Sequence, residues 1–281
     1  MSDPALKDDI ARAVRQALNE DVGSGDATAA LVPEEVNAHA QVLVREACIF
    51  CGAAWLEAVF HQLDPRIEVQ WHASDGDKLA PQTVICDVRG PARPLLTGER
   101  TALNFVQTLS AVATKTNTYV QAVQGTRAAI LDTRKTLPGL RLALKYAVKT
   151  GGGVNHRIGL YDGILLKENH IAAAGGVAQA LSRAAEATPG IPVQIEVETI
   201  EQLEEALDNG ARLVLLDNFS LDQMAEAVKR TAGRAQLEAS GGITLENVRE
   251  IAQTGVDRIS IGTLTKDIKA TDLSMRFVGR D

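Results

Sequence analysis

Apolar and polar positions along the chain follow one rhythm in the first half and another in the second. Residues 6–18 carry an apolar side chain at every fourth position, which predicts an amphipathic helix. Segments 38–46, 67–73 and 83–89 alternate in polarity and are typical of strands, with a predicted helix over 53–62. Strands joined by short turns predict a small antiparallel sheet, and therefore an α+β region. A helical stretch over 95–123, interrupted near Ser110, leads into the second half.

From about residue 128 onward, short apolar runs alternate with amphipathic helical stretches. The stretches 140–149, 177–187, 199–209, 221–232 and 244–253 are the predicted helices. Strand–helix–strand repeats of this length predict right-handed βαβ units on a parallel sheet. Such units in series can form a barrel, complete or partial, and a doubly wound sheet is the alternative. The six runs begin at Ala128, Gly163, Val193, Leu213, Gln236 and Arg258.

Composition narrows the classes of protein that this pattern allows. The chain has 281 residues, of which 45% are hydrophobic and 23% charged, as in ordinary globular proteins. No apolar run approaches the roughly 20 residues that span a bilayer, and the first residues lack the apolar core of a signal peptide. Three cysteines are too few and too irregular for a disulfide scaffold, and the net charge of −7 argues against nucleic-acid binding. We therefore expect a cytoplasmic enzyme or ligand-binding protein.

Polar residues or glycines follow each of the six runs, at the point where a strand would end. The carboxyl ends of parallel strands share one rim of the sheet, where active sites of such folds are built. Solvent exposure explains any one of these positions, but not the whole set. The positions are 132–135, 167–170, 196–198, 217–218, 240–242 and 260–262.

Basic residues are concentrated between positions 134 and 167, where seven lysines and arginines face one aspartate. Arg141, Lys145 and Lys149 are four residues apart, which favours one solvated helix face. The others lie at strand ends or in a glycine-rich loop and predict a site for a small polyanion, with arginines binding carboxylate or phosphate. These anion-binding candidates are Arg134, Lys135, His156, Arg157 and Lys167.

Two glycine turns and two carboxylates complete the predicted site. The turns at 240–242 and 260–262 can bind a phosphate through backbone N–H groups near a helix start. Glu196 and Asp217 can bind Mg²⁺ together with substrate oxygens, hydrogen-bond ribose hydroxyls, or stabilise a cationic sugar. Ion pairing with Lys135 and Lys167 is the simpler alternative.

The remaining candidates favour structural roles. Cys48 and Cys51 have the spacing of a metal or redox pair but lack a second pair, so buried, unreactive thiols are expected. His39, His61 and His72 have no partner that the sequence identifies.

Several blocks of the chain together resemble the quinolinate phosphoribosyltransferases, in order and over nearly its whole length. The most specific blocks are DTRKTLPGLR from Asp132 and GGGVNHR from Gly151. The resemblance implies an α/β barrel, incomplete and of about six strands, beside an amino-terminal α+β open-faced sandwich. We expect the sandwich over 1–112, the barrel over 113–267, and the tail 268–281 packed back on the sandwich. The other blocks are 20–28, 99–104, 167–170, 196–198, 216–218 and 238–243.

The resemblance also implies an activity: quinolinate and phosphoribosyl pyrophosphate give nicotinate mononucleotide, pyrophosphate and CO₂, with Mg²⁺, in NAD biosynthesis. Lys135, Glu196 and Asp217 are the implied catalytic residues, and the two carboxylates the implied Mg²⁺ ligands. Arg100 is implied to reach the site of a neighbouring subunit, which makes the protein a homodimer. The implied quinolinate-binding residues are Arg134, His156, Arg157 and Lys167. The implied contacts to phosphate and ribose are Thr133, Lys135, Ser240, Gly241, Gly242, Ser260 and Gly262.

Two alternatives remain open from the residues alone. Barrels also carry Schiff-base lysines at strand ends, and Lys135 or Lys167 would then be the nucleophile of a lyase. A related protein of the same fold could instead bind a phosphosugar without this chemistry, because fold does not fix function.

Overall fold

The computed structural model describes residues 4–187 and 189–280. By its contacts the chain divides into two units, the first of Met1–Asn117, Thr136–Gly152 and Thr265–Asp281, the second of Thr118–Lys135 and Gly153–Leu264. Residues 1–3 and 281, which the predicted ranges 1–112 and 268–281 include, lie outside the described residues. The segment 136–152 was expected in the barrel domain, but it contacts the first unit because its helix packs against the first helix of the chain.

An antiparallel sheet of four strands organises the first unit. The strand order is β12-β1-β5-β3, so the last strand of the chain pairs with the first. A separate pair, β2 and β4, is also antiparallel. The strands are β1 (Asn37–Val44), β2 (Cys48–Ile49), β3 (Glu68–Trp71), β4 (Lys78–Leu79), β5 (Val84–Pro91) and β12 (Leu273–Arg280).

Four α-helices accompany this sheet: α1 (Pro4–Val22), α2 (Ala53–Leu63), α3 (Ala92–Ala122) and α4 (Arg141–Thr150). A 3₁₀ turn spans Ala29–Leu31. The predicted interruption near Ser110 is wrong, because α3 runs through it. Ser110 is fully buried, and its hydroxyl group bonds to the backbone N–H and C=O of Cys51. A satisfied polar side chain therefore sits inside a continuous helix.

The cysteines of the first unit are buried and free, as predicted. Burial raises the pKa of Cys48 to about 11 and also raises those of Cys51 and Cys86. Thiols that are buried and protonated are poor nucleophiles and poor metal ligands.

Two histidines that the sequence left without partners share one carboxylate on this sheet. Asp87 of β5 is 7% exposed and accepts hydrogen bonds from His39 and from His72, the latter at 2.5 Å. Gln41 donates a third bond at 3.1 Å. Burial alone would raise the pKa of Asp87, but the bonds from His72, His39 and Gln41 outweigh it and lower the pKa to about 2.

The second unit contains a sheet of six parallel strands in the order β6-β11-β10-β9-β8-β7. β6 and β7 form opposite edges, so the prediction of an incomplete barrel of parallel strands is confirmed. The strands are β6 (Ala129–Leu131), β7 (Ile164–Leu166), β8 (Val193–Val197), β9 (Leu213–Asp217), β10 (Gln236–Ser240) and β11 (Arg258–Ser260).

Helices follow these strands closely. α7 begins with the Thr199 hydroxyl oxygen accepting from Gln202 N, and α8 begins with a reciprocal capping pair of Ser220 and Gln223. The last helix is shorter than predicted, because Asn247 Oδ1 accepts from Thr244 N and holds the preceding residues in a turn. The helices are α5 (Glu168–Ala174), α6 (Val177–Ala187), α7 (Ile200–Asp208), α8 (Leu221–Thr231) and α9 (Val248–Gln253), with a 3₁₀ turn at Gly262–Leu264.

The two faces of this parallel sheet differ in polarity. Aligned residues of neighbouring parallel strands share a face, and successive residues alternate. One face is apolar and carries Ile130, Ile195, Val214, Leu216, Leu237 and Ile259. The other face, here called the polar face, carries Gln194, Glu196, Asp217, Glu238, Ser240, Arg258 and Ser260 together with Leu131, Leu213 and Leu215. The polar face therefore carries the candidate site residues.

Among the residues described, none of the helices is both apolar and long enough to traverse a lipid bilayer.

We predict that Asp87→Asn lowers the free energy of unfolding by about 1–2 kcal/mol near neutral pH, because the charged acceptor of three hydrogen bonds is lost. A lowered folded-state pKa stabilises the fold above the unfolded pKa and loses that effect as pH falls through the folded value. The difference between the two proteins should therefore shrink from about pH 4 toward pH 2 in denaturant titrations.

The matched control is Asp208→Asn, which removes a surface carboxylate 3.3 Å from Arg234. That variant should differ little from the parent protein at any pH. A constant difference for Asp87→Asn down to pH 2 would contradict the prediction.

Candidate active site

The carboxyl ends of the six parallel strands bring the predicted residues of the second unit to one edge of its sheet. β9, β10 and β11 end on Asp217, Ser240 and Ser260, and Glu196 lies near the end of β8. Residues 132–135 follow β6 directly, and Lys167 follows β7. Asp217 lies opposite Ser240 in the strand register.

A fully buried carboxylate fixes the glycine-rich loop that carries His156 and Arg157. Asp132 Oδ2 accepts from Asn155 Nδ2 at 2.6 Å, and its Oδ1 accepts from His156 N at 2.9 Å. Val154 extends the edge of β6 through a parallel bridge to Leu131. The loop is therefore held by backbone and carboxylate together, before any ligand binds.

Arg157 is held in place by its own loop. Its Nη1 donates to Gly163 O at 2.9 Å, and Asp162 closes the loop by accepting from Ile158 N and Gly159 N at 2.8 Å each. Burial and the nearby Arg134 guanidinium lower the pKa of Arg157, and Asp162 opposes them. Two guanidinium groups close enough to repel form a site that an anion would stabilise.

Lys167 and Glu196 form an ion pair across β7 and β8. Lys167 Nζ donates to both carboxylate oxygens, at 2.9 and 3.1 Å. The Lys167 side chain is 46% exposed and that of Glu196 only 10%. This is the ion-pair alternative that the sequence left open, and it joins two residues expected to bind different ligands.

A buried polar cluster lies beneath the cations, on the polar face of the sheet. Glu238 is 1% exposed, aligns with Arg258 in the register, and lies 3.3 Å from its Nε. Gln194 Nε2 donates to Glu238 at 3.1 Å, and Gln194 Oε1 lies 2.9 Å from His156 Nε2. These residues connect the sheet interior to the loop of His156 and Arg157.

The two predicted glycine turns make close approaches. Gly241 has φ +100°, and a Cβ there would lie 2.1 Å from Asn218 Oδ1. A Cβ on Gly262 would lie 2.9 Å from Lys135 Cδ. Lys135 N in turn donates to Thr133 Oγ1 at 3.0 Å. The strand ends of β6 and β11 therefore touch through Lys135 and Gly262.

Some predicted residues lie outside this set. Arg100 is exposed on α3 in the first unit. Arg141, Lys145 and Lys149 also belong to the first unit, and the expected solvated face is wrong for Lys145, which is 1% exposed. Ala143, Leu144, Ala147 and Val148 are buried on the same helix, so α4 is packed around most of its circumference.

Within the described part of the chain, no three histidine, cysteine, aspartate or glutamate side chains are placed to hold a metal ion. Glu196 and Asp217 are two carboxylates on neighbouring strands. A hard cation bound there would need further oxygens from a ligand and water, as is usual for Mg²⁺.

Sequence reasoning assigned no supporting role to Asp132, Gln194 or Glu238. A signal for two of them exists, because a polar residue inside a short buried strand is costly unless it has a partner. In VQIEV and QLEAS such residues recur with a period of two, alongside Glu196 and Ser240. The partners themselves lie 38 and 44 residues apart in sequence, which no local pattern identifies.

The chain is similar to known proteins over both units. Residues 112–276 match the family described as quinolinate phosphoribosyl transferase, C-terminal domain, and residues 26–110 match its N-terminal domain. A relative from Bacillus subtilis (strain 168), named probable nicotinate-nucleotide pyrophosphorylase [carboxylating], is 44% identical over 257 residues. That alignment covers 91% of this chain and 89% of the relative. A quinolinate phosphoribosyltransferase [decarboxylating] from Nicotiana tabacum is 40% identical, over 96% of this chain and 82% of that protein.

A solved structure gives the same result. The nicotinate-nucleotide pyrophosphorylase from Francisella tularensis superposes with a TM-score of 0.94 at 44% identity, covering 96% of each chain. This agreement confirms the predicted fold class.

We predict that Gly241→Ala destabilises the protein by about 1–2 kcal/mol more than Gly242→Ala, as measured by denaturant unfolding. Both glycines have positive φ, at +100° and +59°. Only Gly241 also faces a neighbour, Asn218, whereas a Cβ on Gly242 would meet nothing within 4 Å. Equal losses would show that backbone conformation alone requires glycine at position 241.

Proposed function

The chain belongs to the quinolinate phosphoribosyltransferase family, and we propose that it transfers a phosphoribosyl group from phosphoribosyl pyrophosphate to quinolinate. The products are nicotinate mononucleotide, pyrophosphate and CO₂, which places the enzyme in NAD biosynthesis. It is thus a pentosyltransferase, a nicotinate-nucleotide pyrophosphorylase of the carboxylating type.

Arg134, Lys167 and the glycine turns of β10 and β11 lie at the carboxyl ends of one sheet, and Arg157 lies near Arg134. This arrangement is the observation that supports the function. Quinolinate is a planar dicarboxylate, and guanidinium groups bind carboxylates through paired hydrogen bonds. The turns at 240–242 and 260–262 offer backbone N–H groups for a phosphate. One sheet edge therefore carries a site for each substrate.

The first chemical step is the formation of a bond between the ring nitrogen of quinolinate and C1 of the ribose. The bond between C1 and the pyrophosphate oxygen breaks, and pyrophosphate leaves with the electron pair. The sugar passes through a state with oxocarbenium character, which the Glu196 carboxylate stabilises electrostatically. Lys135 and Asp217 bind the pyrophosphate and ribose groups of phosphoribosyl pyrophosphate.

The second step is loss of CO₂ from C2 of the ring. The alkylated ring nitrogen is positively charged and accepts the electron pair of the breaking carbon–carbon bond. A proton from solvent then replaces the carboxylate at C2. Neither step requires a protein nucleophile, so positioning and charge carry the catalysis.

Lys167 changes partners when quinolinate binds. In the structure its Nζ donates to both oxygens of Glu196. A substrate carboxylate that takes Lys167 leaves Glu196 free to face the ribose. Binding of the first substrate thereby prepares the carboxylate that the sugar requires.

Mg²⁺ is the proposed cofactor, held by Glu196 and Asp217 together with pyrophosphate oxygens and water. The two residues fit this ion, because it prefers carboxylate and phosphate oxygens and retains several waters. When bound, it would neutralise charge on the leaving pyrophosphate.

A homodimer is the proposed working unit, with Arg100 completing the site of the neighbouring subunit. Arg100 is exposed on α3. Leu160 and Tyr161, which follow Arg157 in its loop, are each 73% exposed. A pair of large apolar side chains beside a charged site is typical of a surface that another protein chain covers.

A cytoplasmic location is proposed as well. The three cysteines are free, although two of them are separated by only two residues. Free thiols are characteristic of a reducing compartment.

The lyase alternative is disfavoured by the surroundings of Lys167. Schiff-base formation needs an unprotonated amine, usually desolvated in an apolar pocket or placed beside another cation. Lys167 instead donates to a carboxylate and is 46% exposed.

Release of labelled CO₂ from quinolinate, dependent on phosphoribosyl pyrophosphate and Mg²⁺, is the experiment that tests the proposed function. Absence of release from the purified, folded protein would refute it.

We predict that Arg157→Lys weakens quinolinate binding by about 1.5–3 kcal/mol, because a lysine cannot reproduce a paired guanidinium–carboxylate contact. Calorimetry with quinolinate alone measures this loss of affinity.

Asp217→Asn should impair the use of phosphoribosyl pyrophosphate and leave quinolinate binding nearly unchanged. Steady-state kinetics with both substrates, together with the same calorimetry, measure this effect. Equal loss of both ligands in either variant would indicate a collapsed site instead.

We also predict complementation between two inactive variants of the dimer. Arg100→Ala and Lys135→Ala should each be nearly inactive alone. Subunit exchange then forms heterodimers in which one site carries both changes and the other neither. Activity of a random one-to-one mixture should return to about a quarter of wild type, as two-fold symmetry requires.

The control pair is Lys135→Ala with Asp217→Ala, which belong to the same predicted half-site and should show no rescue. If exchange is verified and the first pair also stays inactive, then Arg100 acts within its own subunit or the two sites are not independent.

A further inference from the structure

The residues between Glu238 and Arg157 form a chain of hydrogen bonds that runs from the sheet interior to the site. Glu238 Oε2 accepts from Gln194 Nε2 at 3.1 Å, and Gln194 Oε1 lies 2.9 Å from His156 Nε2. His156 Nδ1 accepts from Arg157 N at 2.8 Å. All of these bonds join groups of the protein itself.

Each link in this chain has only one possible direction. A carboxylate can only accept, so the amide of Gln194 must turn its NH₂ group toward Glu238 and its oxygen toward His156. That oxygen can only accept, so His156 Nε2 must carry a proton. At the other end the backbone N–H of Arg157 can only donate, so Nδ1 must be without one.

The charge of Glu238 therefore selects the tautomer of His156. Its second oxygen, Oε1, is buried without a hydrogen bond and lies 3.5 Å from His156 Nε2. Negative charge at this distance, on a residue 1% exposed, favours the proton on Nε2. Both ring nitrogens are then engaged within the protein.

We propose that Glu238 and Gln194 are positioning residues which hold His156 as its Nε2–H tautomer and thereby fix the backbone of Arg157 for the substrate. In this proposal His156 acts on the site through the backbone of Arg157. The effect on quinolinate depends on the proposed function, whereas the tautomer of His156 does not.

The test exchanges the two ends of the Gln194–Glu238 pair. Glu238→Gln removes the charge that fixes the direction of the chain, and Gln194→Glu places two carboxylates side by side. In the double variant, the carboxylate introduced at position 194 accepts from His156 Nε2–H and from the amide introduced at position 238, so His156 Nε2 must again carry the proton although the link between positions 194 and 238 is reversed. Arg258 loses its carboxylate partner in both Glu238→Gln and the double variant, so recovery cannot come from that ion pair.

Two measurements on each folded variant decide the outcome: ¹⁵N NMR of the His156 ring and calorimetry with quinolinate. Wild type should show a single Nε2–H tautomer. Glu238→Gln removes the fixed direction and should give a mixture of His156 tautomers, whereas Gln194→Glu should keep Nε2 protonated because its carboxylate accepts from Nε2–H. Each single variant should bind quinolinate about fivefold to tenfold more weakly, a coupling typical of residues in one hydrogen-bond network. The double variant should recover the tautomer and bind within about twofold of wild type.

The control is Arg258→Gln, which removes the ion pair with Glu238 but leaves the chain from Glu238 to Arg157 intact. It should keep the wild-type tautomer. The proposal is overturned if either folded single variant keeps both the tautomer and the wild-type affinity, or if the double variant is no better than the single variants. If wild type itself fails to bind quinolinate, the proposed function is refuted, while the ring spectrum still decides the tautomer.

Discussion

Repulsion between Arg134 and Arg157 is the constraint around which the interior of the second unit is arranged. The Arg134 guanidinium disfavours the charge of Arg157, and Lys167 follows β7 at the opposite edge of the same sheet from β6. Such a cluster is stable without ligand only if compensating charge is fixed nearby. Asp162 opposes the repulsion at Arg157, Glu196 pairs with Lys167, and Glu238 pairs with Arg258. Asp132, Glu196 and Glu238 are each at least nine-tenths buried. The polar face of the sheet is therefore a requirement of the site, not a defect in the core.

The buried carboxylates Asp132, Glu196 and Glu238 have different partners. Asp132 accepts hydrogen bonds from the side-chain amide of Asn155 and from the backbone N–H of His156, and so holds the glycine-rich loop. Glu238 accepts a hydrogen bond from Gln194 and pairs with Arg258 in the interior. Among the described residues, Glu196 has Lys167, whose side chain is 46% exposed, as its ionic partner, and a partly exposed pair contributes little to stability and is easily exchanged. The carboxylate that the chemistry needs is thus the one that is held least firmly.

Local periodicity was sufficient for the repeating part of the fold and insufficient wherever distant segments meet. The six parallel strands could be predicted because each is a short apolar run followed by polar residues or glycine. Periodicity did not predict β12, since it pairs with a strand more than 200 residues earlier, although the family resemblance implied that the tail 268–281 packs on the amino-terminal domain. Lys145 was misread because a four-residue spacing describes a helix face but not what packs on it. His39 and His72 had no visible partner because Asp87 lies 48 and 15 residues away. At the site, motifs identified the residues proposed to bind a ligand, but they gave no role to the buried residues Gln194 and Glu238 that support them.

The pairing of β12 with β1 has a consequence for synthesis on the ribosome. The second unit ends at Leu264, so all of its strands have been translated before β12 is made. The amino-terminal sheet, although translated first, stays one edge strand short until β12 leaves the exit tunnel. Domains usually fold in the order in which they are translated. Here the order of completion is reversed, so a nascent or prematurely terminated chain would expose the unpaired edge of β1, a surface on which strands of other chains can assemble.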